Sequence, residues 1–233
     1  MNILLLIPAR GGSQRIPKKN INPLLKKPLI QYTIDYALKS KIDARIIVST
    51  DNQEIANIAE YCGAEVPFLR PQNISQDATP DYPVVTHCLD YLQEDGWTTD
   101  IVVFLRPTQP YRINGEIEKA IEILNNNKSI DCVRTTQTAC YPPYWMKTIN
   151  KKSLIEPFHP DMNKYRSTRS QELPKTVFCD GYVDAIRVES IKKYKELFAG
   201  NVYAIHRDDI YFIDIDDEKD WEYAEYIISK NLN

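Results

Sequence analysis

An unbroken apolar run, Ile3 to Ile7, stops at Pro8, and Ala9, Arg10, Gly11 and Gly12 then begin a polar, cationic stretch. Such a run, bounded by a turn signal, predicts a strand buried on both faces that delivers a loop to the end of a sheet. Leu29, Ile30, Ile34, Ala37 and Leu38 recur at helical spacing, and Ile46-Ile47-Val48 makes a second run ending at Ser49-Thr50-Asp51. The rhythm repeats. Ile55, Ile58, Ala59 and Cys62 form a helical stripe stopped by Gly63, a short apolar segment reaches Phe68-Leu69, and Val84, Val85, Cys88, Leu89 and Leu92 form a third stripe. Ile101 to Leu105 reads as another doubly buried strand. A helix follows through Ile117, Ile121 and Leu124 with Asn114 as its N-cap, and a further strand starts at Asp131-Cys132-Val133. Strands alternating with helices imply an α/β fold with a mostly parallel sheet covered on both sides.

Ligands of such sheets bind beyond the carboxyl ends of the strands. Residues 10–20, 49–51 and 106–112 each follow an apolar run directly, so the pattern places them around one cleft. From Thr138 to Lys175 the rhythm breaks, with Tyr141-Pro142-Pro143-Tyr144-Trp145, Pro157, Pro160 and Pro174 interrupting any long element. Such a stretch is too long for an ordinary connection. Its aromatic content favours a contact surface over a bare surface loop.

Composition narrows the class. With 233 residues, 43% of them hydrophobic, and no linker-like stretch, the chain reads as one domain over 1–233, with 138–175 as an excursion. A formal charge of −3 argues against a nucleic-acid partner, because phosphate backbones select net basic surfaces. Cys62, Cys88, Cys132, Cys140 and Cys179 form no Cys-x-x-Cys pair and read as small apolar core residues carrying reduced thiols. His87, His159 and His206 match no metal-ligand spacing. The first apolar run is too short for a signal segment, and no stretch approaches the roughly 20 apolar residues of a membrane span. A soluble cytoplasmic protein with no membrane partner is expected.

Two segments carry candidate chemistry. Gly11 and Gly12 leave room for a close backbone approach to an anion, and Arg10, Arg15, Lys18 and Lys19 can surround it, as a polyphosphate requires. The Gly-Lys-Ser/Thr step of a Walker A loop is missing, as is the third spaced glycine of a dinucleotide fingerprint. The plainer alternative is a solvated basic turn. Near the other end, Asp214 and Asp216 lie two apart in Tyr211-Phe212-Ile213-Asp214-Ile215-Asp216. On a strand their carboxylates would share one face about 7 Å apart. A magnesium ion, which takes one or two carboxylates together with substrate phosphate oxygens, suits such a pair. Helix capping is the structural alternative, and it is the reading for Asp217 and Asp220. No nucleophile with an adjacent general base is visible, so nothing points to a covalent intermediate.

The opening PARGGSQRIPKKN resembles the signature of the acylneuraminate cytidylyltransferases, the CMP-sialic acid synthetase type. Further segments are similar in the same order: residues 49–51, RPQNISQDATPDYPVVTHCL at 70–89, LRPTQPYR at 105–112, RSQELPK at 169–175 and FIDIDDEKDWEYAE at 212–225. The resemblance implies a three-layer, nucleotide-diphospho-sugar transferase-like (Rossmann-like) α/β fold. It also implies transfer of CMP from CTP to the anomeric hydroxyl of an acidic nonulosonic-type sugar, with release of pyrophosphate. By the same resemblance Arg10 and Lys19 are catalytic contacts to the phosphates. Gly11, Gly12, Ser13, Arg15 and Asn20 belong to the nucleotide loop, and Arg70 and Asp77 to the cytidine pocket. Mg2+ would be held by Asp214 and Asp216, and the excursion would build a homodimer and reach toward the partner's site.

Departures from the pattern fall mostly on the sugar side. Gln14 stands where a lysine is customary, with Arg15 as its replacement. Arg106 stands at a sugar-contact glutamine, Arg169-Ser170-Gln171 at an Arg-Arg-Gln triplet, and Asp180-Gly181 at Asn-Gly. Arg106, Thr108, Gln109, Arg169 and Gln171 are therefore the expected substrate contacts, with Arg106 and Arg169 as candidates for the sugar carboxylate or, alternatively, for surface salt bridges. These changes point to an acidic sugar other than N-acetylneuraminate. The same fold using another nucleotide, or a catalytically inactive nucleotide-binding homologue, are the competing readings.

Overall fold

Alternate residues of the first apolar run feed two separate cores, which is what a central strand must do. In β1 (Ile3–Pro8), Ile3, Leu5 and Ile7 enter one core, and Leu4 and Leu6 enter the other. The structure, a computed structural model, describes residues 1–165, 168–208 and 211–231; the side chain of Ser170 is also outside the description. After β1 and its loop come a small hairpin, β2 (Pro23–Leu24) and β3 (Lys27–Pro28), then α1 (Leu29–Leu38), β4 (Arg45–Ser49) and α2 (Gln53–Tyr61). Next are α3 (Asp81–Glu94), β5 (Ile101–Phe104), α4 (Glu116–Asn126) and β6 (Cys132–Thr138). The rest comprises β7 (Lys147–Ile149), β8 (Ile155–Pro157), β9 (Val177–Arg187), α5 (Val188–Tyr194), β10 (Val202–His206) and α6 (Glu218–Asn231).

The main sheet runs β10-β6-β9-β5-β1-β4. β1 pairs in parallel with β4 and β5, and β10 with β6, while β9 lies antiparallel between β5 and β6. Five strands thus point one way and one the other, so the expectation of a mostly parallel sheet holds. The stripes on α1, α2 and α4 cover one face, through Ile34, Ile55 and Ile121 among others. Those on α3 and α5 cover the opposite face through Val85, Leu92 and Ile191. This is a three-layer α/β/α arrangement. Among the described residues, no helix is long and apolar enough to cross a membrane.

A third apolar cluster sets up the site. Ile213 and Ile215 pack with Ile16, Leu24 and Leu29, and α6 seals them with Ala224, Ile227 and Ile228. The alternating segment 211–216 is not the strand its periodicity predicts. Its apolar residues face the N-terminal loop, and its backbone reaches the neighbouring loop through the Ile215 amide, which donates to the Thr108 carbonyl at 2.8 Å. α6 opens on reciprocal caps, as expected. Asp217 accepts from the amides of Lys219 and Asp220, and Asp220 accepts from those of Asp216 and Asp217.

Two smaller expectations are corrected. Gly115, not Asn114, stands at the N-cap of α4, with φ of 110°, a backbone region that favours glycine. Cys88 and Cys132 are buried core residues, whereas Cys140 and Cys179 are exposed. In the excursion, β7 and β8 form a hairpin that leaves Ile149, Leu154, Ile155 and Phe158 exposed; residues 166 and 167 of it lie outside the described residues.

Candidate active site

A cavity of about 490 Å³ opens at the carboxyl ends of β1 and β5. One wall is the loop after β1, which contributes Arg10, Ser13, Arg15, Lys19 and Asn20. This loop is braced from beneath. The Ala9 amide continues the β1–β4 ladder to the Ser49 carbonyl, the Gly11 amide donates to Asp51 Oδ1 at 2.8 Å, and Asn20 Nδ2 donates to the Arg10 carbonyl at 2.9 Å. The expected role of Gly11 is corrected accordingly. Neither Gly11 nor Gly12 has a left-handed φ, and the Gly11 N–H is already bonded to a carboxylate. Glycine fits at position 11 because a Cβ there would lie 2.8 Å from Asn52 Cβ.

The opposite end of the chain closes the cavity. Lys19 Nζ donates to the Ile215 carbonyl at 2.7 Å and stands 3.6 Å from Asp216 Oδ1, while Arg15 stands 3.6 Å from Asp216 Oδ2. The cationic loop and the acidic segment therefore meet at one cavity. Their settings differ: the Lys19 side chain is 14% exposed, those of Arg15 and Asp216 70% and 66%. Asp214 turns inward toward Thr108, and burial pushes its carboxyl pKa up. The Thr108 hydroxyl opposes that shift, Asp216 adds to it, and Arg106 and Lys19 oppose it. Among the described residues no group of three or more His, Cys, Asp or Glu could hold a metal, and of the two aspartates only Asp216 lines the cavity.

The remaining walls come from three segments. The chain after α2 runs beside β4, with bridges from Glu65 to Ile47 and from Leu69 to Thr50, and this places Arg70 at the carboxyl edge. Arg70 is 5% exposed, donates through Nε to Ser75 at 3.1 Å, and lines the cavity. Burial lowers its pKa, Asp51 opposes that and Arg10 adds to it. Asp77 pairs with Arg10 and accepts from Gln14, clasping the two loops across the cavity. Beyond β5, Arg106 and Thr108 line the cavity. Gln109 does not: it is fully buried and its amide donates to the Asp180 carbonyl, so it props β9 instead of facing a sugar. Arg169 and Gln171 are exposed and lie outside the cavity lining in this single chain.

Sequence reasoning missed the charged layer behind Arg106. Asp184 is fully buried on β9 between Arg106 and Arg134, and Asp180 is paired with Arg207. The available signal was the pair of acids four apart in an otherwise apolar segment, Asp180 to Ile186, which on a strand share one face.

Comparison with known proteins agrees with this geometry. Residues 4–203 match the family described as cytidylyltransferase. The pseudaminic acid cytidylyltransferase of Campylobacter jejuni is 37% identical over 175 residues, covering 75% of this chain and 74% of the relative. The CMP-N,N'-diacetyllegionaminic acid synthase of Legionella pneumophila is 38% identical over 159 residues, 67% of each chain. Among solved structures, a CMP:2-keto-3-deoxy-manno-octonic acid synthetase complexed with CTP covers 100% of both chains with a TM-score of 0.72 at 15% identity, which speaks to the fold. Sequence signature, sheet order and a family match spanning most of the chain converge on one placement: the chain belongs to the cytidylyltransferase family.

Proposed function

We propose that the chain transfers CMP from CTP to the anomeric hydroxyl of an acidic nonulosonic-type sugar. The anomeric hydroxyl gives up its proton to solvent as its oxygen attacks the α-phosphorus, the bond from that phosphorus to the β-phosphate bridging oxygen breaks, and pyrophosphate leaves. The observation that carries this reading is the meeting of Lys19 and Arg15 with Asp216 at one cavity. Arg10, Arg15 and Lys19 offset charge on the triphosphate, Ser13 and Asn20 offer hydrogen bonds, and Arg70 with the segment around Asp77 forms the nucleoside end. Rate enhancement then comes from positioning and charge neutralisation, with no covalent intermediate. Asp214 and Asp216, whose charges act on one another, would hold Mg2+, a cation that takes one or two carboxylates when phosphate oxygens and water complete its shell. Bound there, it would supply charge stabilisation to the phosphates.

The sugars named for the two relatives, pseudaminic and N,N'-diacetyllegionaminic acid, are the favoured acceptors, in line with the altered sugar-side residues. Pyrophosphate release with magnesium, each of CTP, UTP, ATP and GTP, and a panel of these acids plus N-acetylneuraminic acid tests the reading. Release is expected with CTP and a nonulosonic acid alone. Another preferred nucleotide, or nucleotide binding without release from any pair, would replace this reading with one of its competitors.

The exposed apolar side chains of the β7–β8 hairpin fit a homodimer interface, since clustered exposed apolar groups mark contact surfaces. Light scattering at micromolar concentration is expected to give twice the 27.0 kDa of the chain. Ile155→Asp is expected to lower that mass toward the monomer. A wild-type monomer would remove the dimer.

A further inference from the structure

Arg106 lines the cavity at the β5 end and is held by two carboxylates of different character. Nη1 bonds Asp184 Oδ2 at 2.9 Å; Asp184 is fully buried and also takes Arg134 Nε at 2.8 Å. Nη2 bonds Asp81 Oδ2 at 2.6 Å; Asp81 lines the cavity and its side chain is 40% exposed. Two guanidinium groups and two carboxylates balance. If Asp81 withdraws, the remaining trio of Arg106, Arg134 and Asp184 carries one net positive charge at the cavity wall and calls for an anion.

The geometry also says which anion fits. Among the described residues Arg106 Nε makes no hydrogen bond, and Asp81 uses only Nη2 of the Nε–Nη2 edge. That edge takes the two oxygens of a carboxylate side by side, as Arg45 does with Glu65 in this same chain. A substrate carboxylate can therefore bond Arg106 twice where Asp81 bonds it once. Asp81 has somewhere to go: it is the first residue of α3, behind Pro80, where no side chain caps the helix, so its charge stays favourable near the helix N-terminus after release. Gly181, at φ +67, keeps the far side clear, since a Cβ there would lie 3.1 Å from Arg106 Nη1.

We propose that Asp81 is a built-in stand-in for the acceptor's carboxylate, displaced from Arg106 when the acidic sugar binds, and that Asp184 is the positioning residue that holds Arg106 for the exchange. This rests on the proposed cytidylyl transfer and specifies its acceptor site. The test measures steady-state kinetics with CTP and whichever of pseudaminic, N,N'-diacetyllegionaminic and N-acetylneuraminic acid turns over fastest, alongside the carboxamide of that sugar. Asp81→Asn is expected to lower KM for the acid, by up to about fivefold, because a competing half-exposed partner is gone. KM for CTP should stay constant. Asp184→Asn is expected to raise KM for the acid by about tenfold or more, through a misplaced Arg106. Wild type should prefer acid over carboxamide by at least about tenfold, and Arg106→Gln should abolish that preference, a readout that a merely structural arginine would not move. A higher KM for the acid in Asp81→Asn, or an undiminished preference in Arg106→Gln, would overturn the exchange while leaving cytidylyl transfer intact. No pyrophosphate from wild type with any acid would remove both.

Discussion

Asp214→Asn is expected to lower kcat on the order of 10²–10³-fold, the size of effect seen when one preorganised electrostatic contact to a reacting group is lost. The replacement has the same shape and keeps a partner for the Thr108 hydroxyl, so the site loses charge and little else. Asp216 alone would then face the cation, and Asp216 is already shared between Arg15 and Lys19. The magnesium concentration giving half-maximal rate should rise accordingly. Folding should not suffer. An inward-turned carboxylate two residues from another costs stability in the free protein, so the neutral variant is expected to unfold at the same temperature or a slightly higher one. Pyrophosphate release across a magnesium titration, with a thermal melt on the same sample, checks both halves. Unchanged turnover and magnesium dependence would remove Asp214 from the site.

Much of this architecture could be read in the chain, and the parts that could not share a physical cause. β1, β4, β5 and the start of β6 were visible because apolar side chains fill both of their faces, and α1 to α4 because their stripes keep helical spacing. β9 was hidden. It is as buried as β5 over Asp180 to Arg187, yet it carries Asp180, Asp184 and Arg187. Those charges are tolerated inside only because Arg207, Arg106, Arg134 and backbone carbonyls reach them from segments far away in sequence. Periodicity reports which face is apolar; it says nothing of partners that the fold brings in later. The same limit explains segment 211–216. Its alternation is genuine, but Ile213 and Ile215 pack on the N-terminal loop, so the period of two arises without a strand beside it.

The site was legible in its parts and not in its wiring. Loop and acidic pair stand out as charge in an otherwise mixed sequence. What joins them is apolar, Ile16, Leu24 and Leu29 against Ile213 and Ile215. Once assembled, the cavity balances its own cations: Asp77 sits on Arg10, Asp81 on Arg106, and Asp216 beside Arg15 and Lys19. Under the proposed transfer, these three aspartates from three segments would stand where the substrates bring negative charge. An arrangement of this kind lowers the cost of gathering like charges in the free protein, and under that proposal it would make substrate binding an exchange of anions.

Lys19 is where that exchange and the fold depend on one side chain, and Lys19→Met is expected to lower kcat/KM for CTP about 10²–10³-fold. Methionine keeps the apolar stem but cannot donate to the Ile215 carbonyl, a charge-assisted bond that contributes on the order of 1.5–3 kcal/mol. The loop and segment 211–216 would then be joined by apolar contacts alone, while the triphosphate would lose its most enclosed cation. Arg15 offers the control. It also faces Asp216, but it is largely exposed, and water screens such charges, so Arg15→Ala should cost no more than about tenfold. Steady-state kinetics in CTP for both variants separates the two positions. Equal losses would mean that the replaced lysine of the loop is carried by Arg15 and that burial of Lys19 confers nothing. A loss below threefold in Lys19→Met would show that the meeting of the two chain ends does not serve the transfer.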